Sequence, residues 1–205
     1  MTGMVRVWDR FVRVFHWSAA ILVLTALLTE DDQLALHVLA GYTLLGLLVL
    51  RIAWGFIGPA TARFADFCYP PSVVLHYLGA LARLRPQRYL GHSPAGGAMI
   101  VALLVVLILL GVTGMAIYGA EEQAGPLAGL LSGADIATRD WLAGLHQTLA
   151  NLLWLMIFVH LAGVALASYA HRENLVRSMV TGIKPAALGA GETTSPWDSR
   201  PGARP

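Results

Sequence analysis

Four stretches of this 205-residue chain are apolar over about 20 residues each, the length a helix needs to cross a bilayer core of roughly 30 Å. They run approximately from Phe11 to Thr29, Leu34 to Ile57, Gly97 to Tyr118 and Trp141 to Ala170. In lipid every backbone N–H and C=O must find a partner inside the protein, and a segment of this length meets that demand as a helix. Composition agrees: 57% of residues are hydrophobic and 13% charged, against about 45–50% and about 25% in a soluble domain. The expected fold is therefore all-α, an integral membrane four-helix bundle with one transmembrane domain over residues 1–184. Residues 185–205, rich in Gly, Pro, Ser and Thr without apolar periodicity, are expected to be a disordered tail.

The third stretch is the purest, since Met99 to Leu110 contains no polar side chain; it is expected to be scaffold and not a donor of ligands. Cations fix the orientation, because Lys and Arg are retained on the cytoplasmic side. Arg6, Arg10 and Arg13 precede the first span, Arg63, Arg83, Arg85 and Arg88 lie between the second and third, and Arg172, Arg177 and Lys184 follow the fourth. The other two connections hold only Arg139 beside Glu30, Asp31, Asp32, Glu121, Glu122, Asp135 and Asp140. Both termini are expected in the cytoplasm, with the acidic loops outside. A secretory signal peptide also begins with arginines and continues apolar, but no A-x-A-like cleavage site follows Leu28. Between the second and third spans a short helix is expected over Ser72 to Leu84, lying at the inner membrane surface. Ser93 followed by Pro94 reads as an N-cap with proline at the first helical position.

Ionisable side chains inside a membrane span are costly and mark functional sites. Four of the seven histidines fall inside spans: His16, His37, His146 and His160. His146 and His160 are 14 residues apart on the fourth span, which leaves them only about 40° out of register and separates them by about 21 Å along the axis. They share a face, yet stand too far apart for one metal ion. Depth then selects partners. His37 and His146 both lie near the outer ends of their spans, and His16 and His160 both lie toward the inner ends. Neutral imidazole ligates haem iron well, and two axial imidazoles saturate it. The four histidines are thus expected to hold two haems, paired His37 with His146 and His16 with His160. A hydrogen-bonding role between helices explains any one of these residues taken alone; two depth-matched pairs are much harder to obtain that way. The single cysteine, Cys68, provides no C-x-x-C-H attachment site, so the haems are expected to be non-covalent. Gly41, Gly144, Ala150 and Gly163 lie within four residues of these histidines; haem clearance and close helix packing account for them equally. Arg10, Arg13, Arg51 and Arg63 are candidate partners for haem propionates, and topogenic charge explains the same residues at least as well. His76, His92 and His171 fall outside the set. His92, in a loop beside the inner pair, is a minor candidate for a quinone or partner site.

Several segments carry a family resemblance. Val7-Trp-Asp-Arg-Phe-Val-Arg-Val-Phe-His16-Trp17, His37-Val-Leu-Ala-Gly41-Tyr42, Arg51-Ile-Ala-Trp-Gly-Phe-Ile-Gly-Pro59, Leu90-Gly-His92-Ser-Pro, His146-Gln-Thr-Leu-Ala-Asn151 and His160 through Arg172-Glu-Asn-Leu-Val resemble the bacterial cytochrome b561 family, which includes the cytochrome b subunits of nickel-iron hydrogenases. The resemblance covers residues 5 to about 184 and implies a four-helix bundle with haem ligands on the first, second and fourth helices, at the same four histidines. It implies electron transfer in the bacterial inner membrane between a quinone pool and a periplasmic partner, a cytochrome c or a hydrogenase-like enzyme. No nucleic acid is expected among the partners, and no flavin or nicotinamide fingerprint is present, so a conduit is expected more than a self-sufficient dehydrogenase. Two other classes compete: a stand-alone quinone-linked oxidoreductase acting on superoxide, and a transporter or structural anchor in which the histidines bind no haem.

Overall fold

In a computed structural model of the chain, the described residues are 3–29 and 33–186; the expected tail, apart from its first two residues, lies outside them. Strand β1 (Met4–Arg6) leads into helices α1 (Arg10–Thr29) and α2 (Leu34–Ile57). A 3-10 turn at Ala60–Ala62 and the short helices α3 (Phe64–Phe67) and α4 (Pro71–Ala82) follow. The chain continues through α5 (Pro94–Glu121), α6 (Ala128–Leu131), α7 (Ile136–His171) and α8 (Leu175–Thr181) to strand β2 (Ile183–Pro185). Helices α1, α2, α5 and α7 are long and apolar enough to cross a membrane. Helix α4 is the short helix expected over Ser72 to Leu84, beginning and ending slightly earlier.

Side-chain caps mark where these helices start. Asp9 Oδ1 accepts the Val12 N–H at 3.0 Å, Asp135 Oδ1 accepts that of Thr138 at 2.8 Å, and Asn174 Oδ1 accepts that of Arg177 at 2.7 Å. Ser93 Oγ accepts the Gly96 N–H at 3.2 Å, the expected cap of α5. Each satisfies one of the N–H groups that the first helical turn leaves without a partner. Helices α5 and α7 extend beyond the apolar stretches that announced them. Their added turns carry residues such as Glu121, Thr138, Arg139 and Asp140, which suit a helix but not a hydrocarbon layer.

The chain divides into two compact units. The first comprises residues 1–15, 51–101 and 160–205, and the second residues 16–50 and 102–159. In the first unit, β1 and β2 pair antiparallel with Val5 opposite Lys184, a small sheet that an all-α expectation does not contain. Gly182 makes the turn into β2 at φ +83°, and its carbonyl accepts the N–H groups of Val7 at 2.8 Å and Trp8 at 3.1 Å. A Cβ at Gly182 would lie 2.7 Å from the Trp8 carbonyl oxygen, so only glycine fits this position.

Behind the sheet lies a buried polar cluster. The Glu173 carboxylate pairs with Arg88 and faces the Lys184 ammonium at 3.9 Å, while that ammonium lies 5.7 Å above the Trp8 ring. The His92 ring is wedged between Trp8 at 4.4 Å and Phe67 at 4.8 Å, centroid to centroid. Burial, reinforced by the Arg51 and Lys184 cations, pushes the His92 pKa down to about 3. The folded state thus keeps His92 neutral where the unfolded chain, with an ordinary value near 6.5, takes up a proton. Stability is complete above about pH 6.5 and falls as pH drops toward 3, by at most about 1.4 kcal/mol per pH unit. His92→Phe is expected to flatten this acid limb. Thermal melts of both proteins in detergent at about pH 7 and pH 5 check it, and an equal loss in the two would refute it.

Candidate functional site

Two of the four intramembrane histidines meet in the second unit. The His37 ring on α2 and the His146 ring on α7 lie 6.1 Å apart, centroid to centroid, with planes at 66°. Metal–imidazole nitrogen bonds run about 2 Å, so one metal atom between two imidazoles holds the ring centroids about 6 Å apart. The rings stand at the spacing that bis-imidazole ligation requires.

Each ring is also fixed through its Nδ1. His37 Nδ1 lies 2.9 Å from the carbonyl oxygen of Ala26, in the last turn of α1, where helix carbonyls lack intrahelical partners. That carbonyl can only accept, so His37 carries its proton on Nδ1. His146 Nδ1 lies 2.9 Å from Thr113 Oγ1. The Thr113 hydroxyl has the carbonyls of Leu109 at 2.9 Å and Leu110 at 3.1 Å to receive its one proton, which leaves Oγ1 able to accept from His146 Nδ1–H. In both rings the Nε2 lone pair is left for a metal. A second hydrogen bond of this kind orients a ligating histidine and raises its basicity.

The pair borders a cavity of about 610 Å³ within the second unit, inside the range of about 300–1,000 Å³ that encloses a cofactor-sized ligand. Its wall is mostly Leu, Val, Ala and Gly from α1, α2, α5 and α7, and among its described lining residues there is no Lys or Arg. Gly41 lines it, and an added Cβ there would meet no atom within 4 Å; the same openness holds at Gly144 and Gly163. Close helix packing therefore does not explain these three glycines. It does explain Gly111, where a Cβ would collide with Leu45. Helix α5 carries no histidine, but it supplies Thr113, its only Ser, Thr, Asn or Gln, and Gly114, whose added Cβ would stand 3.3 Å from the His146 ring. A solitary threonine in so apolar a helix is the signal that marks Thr113.

His16 lies in the second unit, with its ring edge-on to Trp17 at 5.1 Å, and His160 lies half-buried in the first. Their pairing rests on depth along the helices alone. Arg10 and Arg63 are exposed, and Arg13 donates from Nη1 to the Val180 carbonyl at 2.5 Å. Arg51 is 3% exposed, with Nη2 donating to the Ala62 carbonyl at 3.2 Å and the guanidinium 5.5 Å from the Phe64 ring centroid. Its Nη1 is buried with no hydrogen-bond partner among the described residues, and the same holds for Arg13 Nε, so each of these two arginines keeps a buried donor ready for an anion.

Four apolar helices of membrane length, with an oriented imidazole pair at an apolar cavity, define a multi-pass membrane protein of the helical cytochrome class. The family model for prokaryotic cytochrome b561 matches residues 7–182, and the chain belongs to that family, whose members bind b-type haem. A curated relative, the probable Ni/Fe-hydrogenase B-type cytochrome subunit of Rhizobium leguminosarum bv. viciae, is 24% identical over 212 aligned positions, covering 87% of each chain. No solved structure matches significantly. The cavity residues fit b-type haem: two imidazoles with ring centroids 6.1 Å apart, apolar walls for the macrocycle, and open space beside Gly41.

The hydrogen bond from His146 to Thr113 has a measurable consequence. Thr113→Val keeps the shape and removes the acceptor, and loss of such a partner typically costs about 10–100-fold in metal affinity or activity. Haem at this pair is expected to exchange to apomyoglobin faster by that order, and an unchanged transfer rate would show that the hydroxyl is dispensable.

Proposed function

We propose that this chain is a dihaem b-type cytochrome of the bacterial inner membrane that passes electrons between the quinone pool and a periplasmic redox partner. The observation that carries this reading is the His37–His146 pair, with rings 6.1 Å apart and both Nδ1 atoms held by acceptors. Haem held by His37 and His146 would supply one-electron redox chemistry, and two imidazole ligands would leave it suited to electron transfer more than to oxygen chemistry. His37 and His146 hold the outer haem; His16 and His160 hold the inner one. Ala26 and Thr113 keep the outer rings in one tautomer and one orientation. Arg51, at the other end of α2 from His37, is the partner of choice for a propionate of the inner haem.

The basic residues before α1, between α2 and α5, and after α7 support cytoplasmic termini. Glu121, Glu122, Asp135 and Asp140 are then exposed on the periplasmic side, where they steer a basic partner such as a cytochrome c. The rhizobial relative, a probable Ni/Fe-hydrogenase B-type cytochrome subunit, supports a hydrogenase-like enzyme as the alternative partner.

Redox titration of the detergent-solubilised protein tests this function. Two low-spin b-type haems of different midpoint potential are expected, both reducible by a quinol. One haem, or none, would refute the dihaem reading, and two haems that no quinol reduces would refute the quinone link.

A further inference from the structure

Tyr42 follows His37 by five residues on α2 and lines the same cavity as His37 and His146. Its Oη is buried and has no hydrogen-bond partner among the described residues. A buried hydroxyl left in that condition is penalised unless something pairs with it. Side chains on a helix lean toward its N-terminus, so the Tyr42 ring leans toward the Leu34 end of α2, the end that carries His37. Its Oη lies at the connection between α5 and α6, where a Cβ on Gly125 would stand 2.6 Å from it and 3.0 Å from the Tyr118 ring. Gly125 has φ +79°, so the close approach is made by a residue with no side chain.

The histidines do not use this hydroxyl, because both Nδ1 atoms already have acceptors in Ala26 and Thr113. The charged residues lining the cavity are the carboxylates Glu121 and Glu122, and no cation is among its described lining. A haem in this cavity brings carboxylates of its own, and the hydrogen-bond donors that the described lining offers them are neutral. Of those donors, Tyr42 Oη is the one that is buried and unpartnered.

We propose that the Tyr42 hydroxyl donates a hydrogen bond to a propionate of the haem held by His37 and His146, and thereby raises that haem's reduction potential; this rests on the assignment of those two histidines as its ligands. A donor on the propionate lessens the negative charge felt at the iron and favours the reduced form. Because no Lys or Arg is among the described lining residues, removing the hydroxyl has an undiluted effect.

Redox titration of full-length Tyr42→Phe, with haem counted per protein, is the test. The expected result is two retained haems, one midpoint lowered by about 59 mV, equal to a tenfold weaker reduction equilibrium for one electron, and the other midpoint unchanged. Resonance Raman spectroscopy is expected to show a displaced propionate-bending band in the variant. Tyr118→Phe is expected to leave potentials and band in place. Both midpoints and the band unchanged in Tyr42→Phe would overturn the proposal while leaving haem ligation intact. Failure of the ligation itself shows separately, as a haem count that does not fall in His37→Leu.

Discussion

Replacing His37 or His146 with leucine is expected to lower the haem content of the purified protein from two per chain to one. Leucine fills similar space in an apolar wall but offers no lone pair, and one remaining imidazole holds the iron on one side only. The ratio of pyridine-haemochrome absorbance to protein measures the loss directly. His76→Leu, on the exposed face of α4, is the control that must leave the count at two. An unchanged count in both His37→Leu and His146→Leu would remove these residues from the haem site. The same substitution at His16 or His160 is expected to remove the other haem, and the surviving absorbance band in each of the four variants then reports the pairing.

Glu173→Ala is expected to produce the largest loss of stability among these substitutions, about 3–5 kcal/mol, the typical cost of removing one partner from a buried ion pair. The side chains concerned are nearly closed to solvent, with Glu173 5% exposed, Lys184 6% and Arg88 12%. Burial already pushes the Lys184 ammonium below its ordinary pKa, against the pull of Glu173, so without the carboxylate two cations face each other in a dry site. Thermal melting in detergent is the measurement. A further Lys184→Met substitution in the Glu173→Ala background is expected to recover part of the loss, because the uncompensated charge is the source of the cost. A melting point unchanged by Glu173→Ala would show that the cluster contributes nothing.

These two sites differ in how far they can be read from the sequence. The histidine pair is legible because the period of a helix and the direction of each span place His37 and His146 at one depth. The ring spacing agrees with that placement. The acceptors that orient them are not legible. The Ala26 carbonyl is available only because α1 ends three residues later, and a backbone atom leaves no mark in residue identity. Thr113 does leave a mark, as the one threonine in α5, but its role depends on which face α7 presents. The start of α7 and the end of α5 are hidden for a different reason: hydropathy detects the part of a helix that suits lipid, whereas α7 begins at its Asp135 cap before that part and α5 runs on to Glu121 after it; the start of α5 is legible from Ser93 and Pro94. Pairing of β1 with β2 joins segments nearly the whole chain apart, and three residues give no alternation from which to infer a strand.

That pairing also bears on how the chain is threaded. Strands joined by backbone hydrogen bonds occupy the same aqueous compartment, so the polypeptide between Arg6 and Ile183 must cross the bilayer an even number of times. Four crossings satisfy this parity, and three or five would forbid the sheet. During synthesis the strands can meet only after the fourth crossing is complete and Gly182 has emerged on the starting side. The sheet is therefore a latch that closes last, and a chain with one helix misinserted has no means of closing it.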